Sequence, residues 1–268
     1  MDRYLRVFKF VFEVWGMSRK NTNILKPMVY NVAAAVPVMA ALSLLFAFIE
    51  SEAMSYVLLV VGITALYFID YYCAGMTASL IYDQVTTGSA DVQQARRRAT
   101  AAAPGILTFA AISAAFDILA SYAQERDDLV GKILTQVLYA VWTTATFVVM
   151  PSMVIEGVGF GAAFSRSKDL MKQDPTNVGT GVIGIGAVNY ILGAVVFGLA
   201  YSVSGALSSV HPALGAFAFF LLVNLYWAVS GFIKISYFTC FYLWALECER
   251  NGTSEPSLAP APLAAALA

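Results

Sequence analysis

Long apolar stretches alternate with polar breaks along this chain, and the length of each stretch decides what it can become. Six of them, at about 28–49, 54–82, 104–124, 129–155, 178–206 and 213–246, reach the roughly 20 residues that a helix needs to cross a bilayer core. The breaks alternate too. ESEA, QERDD and SSVHP are short, as turns between hairpin neighbours are. DQVTTGSADVQQARRRATAAA and EGVGFGAAFSRSKDLMKQDPTN have room for a further helix.

Both long breaks and the N-terminal segment carry apolar stripes at helical spacing beside cations. Tyr4, Val7, Phe8, Val11 and Trp15 form the clearest stripe, with Arg3, Arg6 and Lys9 interspersed. Val92, Ala95 and Ala99 stand beside Arg96, Arg97 and Arg98, and Phe160, Phe164, Leu170 and Met171 oppose Arg166, Lys168 and Lys172. Such patterns predict helices lying in the headgroup plane. The order surface helix, span, turn, span then runs three times, over 2–83, 84–156 and 157–247.

The fold expected is an all-α polytopic integral membrane helix bundle. It has six transmembrane helices plus interfacial amphipathic helices, in one transmembrane domain over 1–250. Pro37 and Pro151 fall inside spans, where each frees a backbone carbonyl and is expected to kink its helix. The Pro- and Ala-rich tail, 251–268, is expected to be disordered and cytoplasmic.

Composition agrees with the pattern: 59% of the 268 residues are hydrophobic and 12% charged, against roughly 25% charged in soluble domains. Charge distribution then orients the bundle. With the N-terminus inside, cytoplasmic segments hold 13 of the 16 Lys and Arg residues, so the positive-inside rule predicts a multi-pass cell-membrane protein with both termini cytoplasmic. Arg96, Arg97, Arg98, Arg166 and Lys168 are the candidates to meet lipid headgroups. Membrane lipids are the expected partners, and nucleic acid is not one.

Three ionisable residues lie inside spans: Asp70, Asp117 and Lys234. Asp70 stands 13 residues before Asp83, Lys234 13 before Glu247, and Asp117 13 after Pro104. At 1.5 Å per residue each lies about 20 Å from the cytoplasmic end of its helix. Thr143 and Asn189 fall at a similar level, so one polar layer is expected. A cation in hydrocarbon costs at least about 2.5–3.5 kcal/mol, and the expected offset is a pairing of Lys234 with Asp70 or Asp117. Two readings of the layer stay open here: a structural bridge that sets helix register, and an ion or proton pathway. On the fifth span Ala194, Gly198, Ser202 and Ala206 recur every four positions, a small-residue face suited to close helix packing within the chain or between copies.

Enzyme chemistry is poorly supplied. The single histidine, His211, precedes Pro212 in a short connection, and no HExxH, GxSxG or phosphate loop appears. Cys73, Cys240 and Cys248 form no metal spacing. Neither a cofactor nor a metal is expected.

The run PSMVIEGVGFGAAFSRSKDLMK resembles a stretch in poorly characterised prokaryotic six-helix membrane proteins, among them the membrane domain fused to some glycerophosphodiester phosphodiesterases. Pro151, Glu156, Ala163, Arg166, Ser167 and Leu170 carry the likeness. It implies a fold and a prokaryotic setting, and no reaction, since the phosphodiesterase domain is absent from this chain. Two functions are left by the sequence. One is a homo-oligomeric channel or small-solute transporter using the polar layer. The alternative is a non-catalytic membrane-organising scaffold that binds lipid through its amphipathic helices.

Overall fold

The computed structural model describes residues 2–124, 129–173, 175–253 and 255–267. The elements are α1 (Asp2–Lys20), α2 (Lys26–Phe48), α3 (Glu52–Thr87), α4 (Val92–Ala101), α5 (Ala103–Gln124), α6 (Leu129–Thr146), α7 (Val149–Ile155), α8 (Phe160–Gln173), α9 (Pro175–Ser208), α10 (Pro212–Asn251) and α11 (Ala261–Leu267). Short 3₁₀ turns at Thr22–Leu25 and Pro256–Leu258 complete the described secondary structure. The hairpins α2–α3, α5–α6 and α9–α10 each pack together, and each is preceded by one of the amphipathic helices α1, α4 and α8. Of the expected connections, residues 125–128 of QERDD lie outside the described residues, as do the side chains of Tyr4 and Val7.

Among the described residues five helices are long and apolar enough to cross a membrane, and the fourth expected span contains the shorter apolar stretch Val141–Ile155. The fourth expected span is interrupted: α6 stops at Thr146, and α7 restarts at Val149. Pro151 supplies the reason, because it has no N–H and its ring collides with the carbonyl four residues back, at Phe147. The break falls at Phe147–Val148. Other ends are set by local chemistry. Gly88 closes α3 in the left-handed region (φ 75°), its N–H donating to the Gln84 carbonyl, and Gly157 (φ 71°) follows α7 in the same way. Asp91 caps α4, its side chain accepting from the Gln93 N–H at 2.8 Å. His211 does likewise for α10 through Nδ1, and Pro212 fills the first helical position.

α3 and α10, 36 and 40 residues long, form the axis of the bundle. Their C-terminal halves are mostly buried, over Cys73–Asp83 on one and, Lys234 apart, over Phe232–Trp244 on the other, with α7 wedged against both. Their N-terminal halves expose Met54, Val57, Val60, Val61, Leu214 and Phe217, as the lipid-facing part of a bundle does.

Two expectations change at the periphery. On α1 it is Phe10, Val14 and Ser18, outside the expected stripe, that are buried, with Phe10 edge-on to Tyr237 at 5.1 Å. Phe8, Phe12 (74% exposed) and Trp15 look outward. The tail, as far as it is described, packs against the bundle. The Trp244 indole donates to the Glu255 carbonyl at 3.0 Å, and α11 lies along α1 with Leu263 at 1% exposure in the core. Composition favoured disorder because the segment is Pro- and Ala-rich and too short to pack by itself, whereas Leu263 and Pro262 seat a short helix against the rest of the chain. Leu263→Ala is expected to lower stability by about 2–3 kcal/mol through the cavity it leaves, measured as a loss in thermal unfolding temperature in detergent micelles. An unchanged midpoint would detach the tail from the core.

Candidate functional site

Four helix faces meet at the level of the intramembrane charges. On α3, Tyr67, Asp70, Tyr71 and Ala74 follow the i, i+3, i+4, i+7 spacing of one face. On α5 the face is Phe109, Ser113 and Asp117, and on α6 it is Tyr139, Trp142, Thr143 and Thr146. On α10 it is Trp227, Gly231, Lys234 and Phe238. These faces enclose a cavity of about 440 Å³. Among the described residues α6 and α10 barely pack against each other, so the cavity is the space between them.

Asp70, Asp117, Thr143 and Lys234, placed at one depth from the sequence, therefore line one cavity. Asn189 does not. It lies on α9, where its backbone carbonyl accepts from the Tyr226 hydroxyl at 3.0 Å, and its side-chain oxygen is buried with no partner among the described residues. The helix that carries it packs mainly on α10 and contributes no residue to the cavity lining.

The two carboxylates are held differently. Asp117 has phenols beside it: Tyr67 donates to its Oδ2, and Tyr139 lines the same cavity. Asp70 accepts from the Asn31 side-chain amide of α2 at 2.7 Å through Oδ1. Gly231 brings α10 close to that oxygen: a methyl group at its Cα would stand 3.6 Å from Oδ1. Tyr71 donates to Ser113 at 2.9 Å and stacks on Phe109 with ring centres 4.4 Å apart.

Lys234 is the exception to the pairing expected of it. Among the described residues no carboxylate lies within ion-pair distance of its ammonium group. Asp70 attracts it from across the cavity, and the Phe238 ring lies 5.9 Å from Nζ. Although Lys234 sits among the bundle helices it is exposed, because the surface in front of it is the cavity. A cavity, rather than a direct bridge, stands in front of the charge.

Two of the cations assigned to headgroups are spent inside the protein. Arg98 binds Asp83 at 2.8 Å and Ser79 at 2.9 Å, with its guanidinium over the Tyr82 ring. Arg166 makes a two-point contact with Glu249 at 2.9 and 2.5 Å, which raises its already high pKa, and it also meets Tyr242, whose hydroxyl donates to Glu156. Arg96, Arg97 and Lys168 remain exposed. Phe160 and Phe164, expected to face lipid, instead continue the aromatic stack behind the cavity, Phe160 lying 5.6 Å from Phe109. Ala194, Gly198, Ser202 and Ala206 are all exposed, so the small-residue face of α9 is not covered by the described residues.

The family model described as a family of unknown function, DUF6159, matches residues 49–252. The chain belongs to that family. Every residue lining the cavity falls within the matched region, whereas Asn31, α1 and α11 fall outside it. The match gives no link to glycerophosphodiester phosphodiesterases. No curated protein and no solved structure matches the chain.

Proposed function

We propose that this multi-pass membrane protein carries a small solute or ion across the cell membrane, without covalent chemistry, by way of the cavity between α6 and α10. The observation that carries the reading is the cavity itself. Separated charges of both signs share a space of about 440 Å³ inside a membrane bundle, at a cost that a purely structural role does not require. Ionisable groups that face a cavity within a bundle are what substrate and ion pathways are built from. The cation distribution supports an orientation with both termini cytoplasmic. The test is flux. Vesicles reconstituted with the native protein should take up protons, ions or small organic solutes faster than protein-free vesicles. Equal rates across that panel, from folded protein, would reject the reading.

The working unit in this reading is a homo-oligomer closed by the exposed face of α9. Small residues there let a second backbone approach closely. Ser202→Cys is expected to form a disulfide-linked dimer on mild oxidation in native membranes. A monomer only, with a thiol that is accessible, would place the contact elsewhere.

A further inference from the structure

The charges in the cavity are arranged for a ligand that has both signs. Lys234 offers an ammonium group with no carboxylate at contact distance among the described residues. Asp117 already accepts from Tyr67. Asp70 spends Oδ1 on Asn31, and no described donor reaches its other oxygen. A free cation and a half-free anion thus face one space, attracting each other without touching. If neutrality alone mattered, closing the pair would be cheaper than holding it open. Much of the remaining wall is aromatic, Trp142, Phe147, Trp227 and Phe238 among it. A volume of about 440 Å³ falls within the range of small-molecule sites.

The geometry points to a zwitterionic amino-carboxylate with a flat apolar body, of the size of an aromatic amino acid, as the ligand of this cavity. Its carboxylate meets Lys234, its ammonium meets Asp70, and its ring lies against the indole walls. This inference rests on the reading of the cavity as a solute site, and it names the cargo.

The experiment is equilibrium binding to the purified full-length protein in detergent, with three probes of one shape: L-phenylalanine, 3-phenylpropionate and 2-phenylethylamine. Each charge-assisted contact contributes about tenfold or more in affinity. L-Phenylalanine should therefore bind at least about tenfold more tightly than either singly charged analogue. Lys234→Met should reduce it to the level of the amine, and Asp70→Asn to that of the acid. Lys234→Arg, which keeps the charge, serves as the folding control and should retain most of the affinity. Equal or tighter binding of either analogue overturns the zwitterion, and so does the absence of binding by all three. Flux from the same preparation separates the two claims. Lys234-dependent flux of some other species would leave the cavity as the route and reject only the cargo.

Discussion

Lys234→Met is expected to lower flux through reconstituted vesicles by about tenfold or more, the worth of one charge-assisted contact, while leaving the protein at least as stable as the native chain. Both halves follow from the same observation. Methionine keeps much of the length and the apolar stem of lysine, so the α10 wall stays filled. The ammonium it removes has no carboxylate at contact distance among the described residues, so no buried acid is stranded by its loss. A structural bridge predicts the reverse, because breaking a closed pair costs about 3–5 kcal/mol. Native flux together with a lower unfolding temperature would therefore make Lys234 a bridge after all. Lys234→Arg should give an intermediate rate, since the charge survives but the planar guanidinium presents different geometry.

Arg98→Ala carries the largest expected loss of stability, about 3 kcal/mol, at the low end of what a broken buried pair costs. Asp83 is 5% exposed at the C-terminal end of α3, and its second oxygen has no partner among the described residues. Removing Arg98 strands that charge and also takes a partner from Ser79. The double variant Arg98→Ala/Asp83→Asn should recover most of the loss, which a double-mutant cycle in detergent would measure. Arg166→Ala is the comparison. Its partner Glu249 is a third exposed, so the change should cost less than about 1 kcal/mol. Equal losses at the two arginines would contradict the difference in burial between their partners, Asp83 and Glu249.

Much of this architecture was legible because a bilayer makes length and period decisive. Five expected spans correspond to described helices within a few residues at each end, and the three stripes beside cations became α1, α4 and α8. The depth argument placed four of five polar-layer residues around one cavity, since rise per residue is nearly constant along a helix. It did not reach Asn189 because depth says nothing about which helices line a space: α9 packs mainly on α10 and supplies none of the cavity's lining. Tyr67, Tyr139 and Ser113 were missed as site residues although a signal was present. Tyr67 stands three before Asp70, Ser113 four before Asp117 and Tyr139 four before Thr143, each pair on one helix face. The roles of Arg98 and Arg166 could not be read from the chain. Their partners depend on how far α4 and α8 lean toward the ends of α3 and α10. The two-piece α6–α7 was half legible, since Pro151 marked a kink, but whether the helix bends or breaks is settled by packing around Phe147.

Accessibility of Thr143→Cys to a membrane-impermeant hydrophilic thiol reagent is the most direct measurement of the central claim, made in a Cys248→Ser background because Cys73 and Cys240 are buried. The account predicts reaction from an aqueous phase, with loss of flux once the cavity is occupied by the label. A folded protein whose residue 143 thiol stays unreactive from both sides would mean a dry, closed layer, and would contradict a solute route between α6 and α10.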